Sequence, residues 1–143
     1  MSGHSWFYWA ILSAVFAAMT AIFAKIGLEG INSDFATLIR TFVIILVLAG
    51  FVYYTGKWSD PFAINPKTWL FLTLSGLATG ASWVCYFRAL QLGDASKVAP
   101  VDKFSLVLVA IFAVIFLGER PSIRDWLGIL MVTAGVVILS LRR

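Results

Sequence analysis

Residues 35–54 read FATLIRTFVIILVLAGFVYY, an apolar run with a single charged side chain, Arg40. A helix of about 20 apolar residues spans the roughly 30 Å hydrocarbon core of a bilayer. Inside a bilayer every backbone N–H and C=O group needs a hydrogen-bond partner, which favours a helix over an isolated strand. This stretch therefore predicts a transmembrane helix, and it makes a membrane protein the first hypothesis for the chain.

The composition of the whole chain supports that hypothesis. Of its 143 residues, 61% are hydrophobic and 13% are charged, whereas soluble domains average about 45–50% and about 25%. A net charge of +4 would suggest nucleic acid as a partner of a soluble protein. Here the basic residues are scattered between apolar runs, so no nucleic-acid partner is predicted. The single cysteine, Cys85, cannot form an internal disulfide.

Four further apolar segments flank the first one and are separated by turn residues. The predicted spans are residues 6–25, 35–54, 68–92, 98–117 and 123–141. In the fourth span Ser96 is the predicted N-cap, which places Pro100 in the first turn, where its missing N–H is tolerated. We therefore predict an all-α polytopic membrane protein with five transmembrane helices, in one domain that covers residues 1–143.

The loop charges are balanced between the two sides of this predicted topology. The side of the N-terminus carries Lys57, Lys67, Arg120 and Arg124, and the other side carries Lys25, Lys97, Arg142 and Arg143. The positive-inside rule therefore gives almost no preferred orientation. Two alternatives stay open at this point. In the first, the chain has one fixed topology, set by the C-terminal basic pair or by the deeper charges. In the second, the chain inserts in both orientations.

Within or near the ends of the predicted spans, six ionisable side chains lie toward the side of the membrane opposite the N-terminus: Lys25, Glu29, Arg40, Arg88, Asp102 and Lys103. Such groups are costly in a bilayer and usually face a cavity or a partner. Four are basic and two are acidic, so they cannot all pair with one another. The surplus predicts a vestibule for an anionic or zwitterionic group, contacted or gated by Arg40, Arg88 and Lys103, with the other three as charge partners. The alternative is snorkelling to headgroups and structural ion pairs.

An aromatic pair lies in the third span. Trp83 and Tyr86 are three residues apart, so they share a helix face. We predict that they line the pathway of a substrate, and ordinary helix packing is the alternative.

Glycines at helical spacing predict close helix packing. Gly76 and Gly80 form a GxxxG pair, and Gly128 and Gly135 lie two turns apart. No arrangement typical of a catalytic or metal site is present. The chain is therefore predicted not to be an enzyme and to need no metal or cofactor.

Two stretches resemble a known family. Residues 86–140, YFRALQLGDASKVAPVDKFSLVLVAIFAVIFLGERPSIRDWLGILMVTAGVVILS, resemble the second half of an EamA domain of the drug/metabolite transporter superfamily. Residues 24–41, AKIGLEGINSDFATLIRT, resemble the first helix junction of its short five-helix bacterial/archaeal transporter subgroup. The LGER motif at 117–120 and the GDASKVAP run at 93–100 are the most specific parts.

The resemblance implies a two-fold arrangement. Ten-helix relatives contain two five-helix repeats in opposite orientations around a central pathway, so a lone five-helix unit would need an antiparallel partner. It also implies that charged residues of the vestibule match recurrent motif positions of the subgroup, namely Lys25, Glu29, Arg40, Asp102 and Lys103.

The functional expectation combines the pattern of spans and charges with the family resemblance. We expect a multi-pass secondary transporter of the prokaryotic plasma (inner) membrane, an antiparallel homodimer that moves a small polar or amphipathic metabolite by alternating access. Its partners would be the lipid bilayer, the substrate and a second copy of itself. Two alternatives stay open: a subunit of a heteromeric transporter or lipid flippase, and a non-transporting membrane scaffold.

Overall fold

The computed structural model describes residues 5–141, which are helical and contain no strand. The helices in chain order are α1 (Ser5–Gly27), α2 (Ser33–Tyr54), a short 3₁₀ helix (Pro61–Ala63), α3 (Pro66–Leu92), α4 (Ala95–Asp102), α5 (Ser105–Leu117) and α6 (Ile123–Leu141). With α4 and α5 taken together, five segments are long and apolar enough to cross a membrane. The prediction of an all-α fold with five spans is confirmed. The basic pair at 142–143 lies outside the described residues.

The start of the fourth span differs from the prediction. Helix α4 begins at Ala95, and its N-cap position is Asp94, whose side chain makes no capping hydrogen bond. The prediction of Ser96 as the N-cap was therefore wrong. Because the helix begins earlier, Pro100 lies inside it rather than in its first turn.

The fourth span is also interrupted, where the prediction had one continuous helix. Pro100 has no N–H to donate to the carbonyl of Ser96, and its ring crowds the preceding turn. Just beyond it, the N–H of Lys103 bonds the carbonyl of Pro100 at 3.0 Å, and that of Phe104 bonds Val101 at 3.0 Å. These three-residue spacings are those of a 3₁₀ turn. The span therefore consists of two α-helices joined by a tighter turn at 103–104.

Asparagine side chains cap the N-termini of two of the long helices. Asn32 Oδ1 accepts hydrogen bonds from the N–H groups of Asp34 and Phe35 at the start of α2. Asn65 Oδ1 accepts from the N–H of Lys67 at 2.9 Å at the start of α3. A side-chain oxygen at this position satisfies N–H groups that the helix leaves unpaired. The loop residues therefore fix where each span begins.

The chain divides into two compact units: unit 1 contains Met1–Ile22 and Gly93–Arg143, and unit 2 contains Phe23–Leu92. In unit 1, α6 packs against α4 and α5, and in unit 2, α2 packs against α3. Within unit 2, Leu90 is fully buried, and Phe87, Ser33 and Thr37 are buried too.

Most large apolar side chains of the chain are exposed. Phe42, Leu46, Leu77 and Phe116, for example, each keep more than half of their surface accessible. Soluble monomers rarely expose contiguous apolar patches of more than a few hundred Å². The surface of this chain therefore suits a lipid environment, in agreement with its five candidate spans.

Candidate functional site

Arg40 of α2 lies over two aromatic rings of α3. Its guanidinium carbon is 4.3 Å from the centre of the Trp83 ring and 5.3 Å from that of Phe87. Trp83 and Phe87 are four residues apart, so both rings belong to one face of α3. The negative face of an aromatic ring attracts a cation, most strongly where water is excluded. The sequence-predicted residues Arg40 and Trp83 are thus brought together, and Phe87 joins them.

One nitrogen of this guanidinium lacks a hydrogen-bond acceptor. Nη1 of Arg40 is buried and has no acceptor among residues 5–141. An unsatisfied buried donor costs free energy and calls for an explanation. Arg40 is therefore the strongest candidate in the described chain for contact with an anionic group.

Arg40 lies well inside the candidate membrane span formed by α2. Helix α2 begins at Ser33, so at 1.5 Å per residue Arg40 is about 10 Å along the helix. That position falls within the hydrocarbon zone of a spanning helix, where ionisable residues mark substrate or ion pathways.

Arg88, the second predicted pathway residue, forms an ion pair. Its Nε and Nη2 donate to the two carboxylate oxygens of Asp34, at 3.0 and 2.6 Å. This two-point geometry is the strongest form of an arginine–carboxylate pair. The two side chains are about half exposed. Arg88 therefore joins the last turns of α3 to the first turn of α2.

Two further hydrogen bonds join the same end of unit 2. Lys25 Nζ donates to the carbonyl of Leu90 at 2.6 Å, and Gln91 Nε2 donates to the carbonyl of Ile31 at 2.8 Å. The carbonyl of Leu90 lies in the last turn of α3, where helix carbonyls have no intrahelical partner. The end of α1, the following loop, the start of α2 and the end of α3 are thereby fixed together.

The remaining candidates are three exposed charged residues, two of them at the junction of α4 and α5, and Tyr86 of α3. Lys103 Nζ is 3.7 Å from Asp102 Oδ2 at the junction of α4 and α5. Glu29 is exposed in the turn after α1. Tyr86 is next to Phe87, with ring centres 6.5 Å apart. The roles predicted for these residues stay predictions.

The glycines predicted to pack helices face open space within this chain. A Cβ added at Gly76, Gly80, Gly128 or Gly135 would meet nothing within 4 Å. The predicted role of these glycines in helix packing therefore stays a prediction.

Sequence reasoning missed Asp34 and Phe87 as members of this site. Asp34 adds a third carboxylate to the two predicted, which leaves four basic groups against three acidic ones. Asp34 lies one residue before the second predicted span, residues 35–54, so it was not among the charges assigned to the spans. Phe87 lies four residues after Trp83, and this spacing could have placed it on the same helix face.

Comparison with known proteins identifies a family whose model matches this chain. The model of the EamA-like transporter family matches residues 4–141. An uncharacterized transporter in the cobO 3' region of Sinorhizobium sp. is 61% identical over 136 residues, which cover 95% of this chain and 96% of that protein. No solved structure matches the chain.

Two other relatives are more distant. The uncharacterized transporter YxxF of Bacillus subtilis (strain 168) is 24% identical over 94% of this chain, and the match spans only 42% of YxxF. The probable 4-amino-4-deoxy-L-arabinose-phosphoundecaprenol flippase subunit ArnE of Yersinia pestis (strain Pestoides F) is 30% identical over 84 residues, 58% of this chain and 74% of ArnE. The names of these relatives and of the family indicate a transporter rather than an enzyme.

Proposed function

Because this chain belongs to the EamA-like transporter family, we propose that it is a secondary transporter for a small polar or amphipathic metabolite that carries an anionic group. It works by alternating access in the prokaryotic plasma membrane. Arg40 holds the anionic group, Trp83 and Tyr86 line the pathway, and Arg88 opens or closes one end of it.

The observation that carries this proposal is the guanidinium of Arg40. It lies at membrane depth on the rings of Trp83 and Phe87, and its buried Nη1 has no acceptor among residues 5–141. A carboxylate or phosphate that reaches Nη1 would gain a charge-assisted hydrogen bond in a desolvated place, where such bonds are strong. The part of the Trp83 indole that stays accessible would pack against the apolar part of the same substrate.

We propose that the functional unit is an antiparallel homodimer. The balanced loop charges support insertion in both orientations. The match to less than half of YxxF supports the need for a second half. The open faces at Gly76 and Gly80 offer a surface on which another helix can approach closely.

A second candidate function is a subunit of a heteromeric lipid flippase. The similarity to ArnE, whose name describes a flippase subunit, favours it. In that case the second half would be a different chain, and this chain would insert in one orientation.

C-terminal topology in native membranes separates the two candidates. A tag placed after Arg143 is probed from both sides of the membrane. Signal on both sides is expected for the antiparallel homodimer. Signal on one side contradicts dual insertion and favours the heteromeric subunit.

The role of Arg40 is tested by ligand binding to the purified protein. A panel of organic carboxylates, phosphate esters and sulfate esters is screened by the shift in melting temperature of wild type and Arg40→Gln. The exposed Lys67→Gln serves as the control for loss of one charge. At least one anion should stabilise wild type and the control but not Arg40→Gln. An unchanged response of Arg40→Gln would refute Arg40 as the anion anchor.

A further inference from the structure

A groove of about 710 Å³ lies between α5 and α6 in unit 1. Leu106, Ala113 and Ile129 line its apolar part, and Arg120 and Arg124 stand at its charged end. The proposed transport function uses none of these residues. The LGER motif, residues 117–120, contributes to that charged end.

The turn between α5 and α6 holds the charged end in a defined shape. Gly118 has a φ of 66°, the left-handed conformation that glycine adopts without strain, and the N–H of Glu119 bonds the carbonyl of Ala113 at 3.1 Å. Ser122 and Asp125 then form a reciprocal cap at the start of α6. Asp125 Oδ2 accepts from the N–H of Ser122 at 2.7 Å, and Ser122 Oγ accepts from the N–H of Asp125 at 3.3 Å.

This cap engages one of the two carboxylates at the groove. Asp125 Oδ2 also accepts from the hydroxyl of Ser122 at 2.8 Å, whereas the side chains of Glu119, Arg120 and Arg124 are exposed. Among residues 5–141 none of these three side chains forms an ion pair. The charged end therefore presents two guanidinium groups and the carboxylate of Glu119 to a ligand, while the second carboxylate, Asp125, has its Oδ2 engaged by Ser122.

The length of the groove matches half a bilayer. Helix α5 ends at Leu117 and α6 begins at Ile123, so the turn between them lies at a membrane surface. Leu106 is roughly 16 Å along α5 from that end, at 1.5 Å per residue. Half of the hydrocarbon core is about 15 Å thick. The groove thus runs from the surface to about the midplane.

We propose that this groove binds one phospholipid with a primary-amine headgroup. Its phosphate contacts Arg120 and Arg124, its ammonium group contacts Glu119, and an acyl chain lies along the apolar part. The two guanidinium groups complement the phosphate, the carboxylate of Glu119 complements the ammonium group, and the apolar length accommodates one leaflet of acyl chain. This site is independent of the proposed transport function, since it uses no residue of the Arg40 site.

The test compares three lipids that differ only in the headgroup. The full-length protein is purified, and the retention of phosphatidylethanolamine, phosphatidylglycerol and phosphatidylcholine with identical acyl chains is measured by native mass spectrometry. We expect phosphatidylethanolamine to be retained best, because Glu119 can accept a hydrogen bond from a primary ammonium but not from a quaternary one. Equal retention of the three lipids, or stronger retention of phosphatidylglycerol, would overturn the proposal.

Variants test the charged end and the apolar part of the groove separately. The double variant Arg120→Gln with Arg124→Gln should weaken retention roughly tenfold, as expected for the loss of charge-assisted bonds to phosphate. Its matched control, Lys57→Gln with Lys67→Gln, removes the same charge from exposed positions and should leave retention unchanged. Similar losses in both double variants would reduce the effect to net charge and overturn the site.

Filling the apolar part is the second perturbation. A side chain at Gly128 starts in open space, so Gly128→Leu should occupy the groove, keep the fold and reduce retention of all three lipids. Ala110→Leu fills it from α5 and replaces the first variant if that variant does not assemble. If either variant lowers the dimer fraction and leaves lipid retention intact, the groove binds a second copy and the lipid proposal fails.

Discussion

Replacing Arg40 by methionine is expected to stabilise the protein while it abolishes anion recognition. Methionine keeps an unbranched, flexible side chain over Trp83 and Phe87 but removes the charge and the buried Nη1. A residue that binds a ligand is often unfavourable for the free protein, because its polar groups are satisfied only in the complex. A gain in stability with a loss of binding is therefore the signature of a functional rather than a structural arginine.

The size of the gain follows from the position of Arg40. A buried polar group without a hydrogen-bond partner costs about 1–3 kcal/mol of folding free energy. Nη1 of Arg40 is such a group among residues 5–141, so we take about 2 kcal/mol. Ring contacts at 4.3 and 5.3 Å offset about 1 kcal/mol of that cost. The expected net gain from Arg40→Met is about 1 kcal/mol.

The assay is unfolding in mixed micelles, with helicity followed as the fraction of sodium dodecyl sulfate increases. Arg88→Met is the matched control, because it removes an arginine whose carboxylate partner, Asp34, is present. That control should lower stability slightly, since the pair is half exposed. If Arg40→Met destabilises the protein more than Arg88→Met does, Arg40 has a structural role and the reasoning is refuted.

Three further perturbations test the fold. Asp34→Ala and Arg88→Ala should show a small favourable coupling in a double-mutant cycle of unfolding, because both side chains are about half exposed; strictly additive effects would contradict the ion pair. Pro100→Ala restores the N–H for the carbonyl four residues earlier and should raise stability by about 1 kcal/mol; a lower melting temperature would show that the 103–104 turn is needed for packing. Gly118→Ala should lower stability by about 1 kcal/mol because of its φ of 66°, whereas Gly50→Ala, in helix α2 and in open space, should be neutral or slightly stabilising in the same assay.

The five spans were predictable because hydropathy depends on local composition. A run of about 20 apolar residues has to cross the bilayer as a helix whatever its neighbours are. The interruption of the fourth span was not predicted, because the helix start was placed at Ser96 rather than after Asp94. That shift of the helix start moved Pro100 from a tolerated position to an interior one.

The partners of the charged residues were less predictable. Counting charges inside the spans identified Arg40 and Arg88 as residues that need explanation. It could not distinguish them, because a carboxylate 54 residues away in the chain satisfies Arg88, whereas Arg40 lies over two aromatic rings and keeps a buried Nη1 without an acceptor among residues 5–141.

The sequence by itself determined the class of protein, the number of spans and the excess of basic groups at membrane depth, since each depends on composition along a short stretch. The tertiary structure decided which cation is satisfied and which keeps a buried, unpaired N–H. The physical reason is that a hydrogen bond depends on distances of about 3 Å and on direction. Only the packing of α2 against α3 brings Asp34 to Arg88 and the ring of Trp83 beneath Arg40.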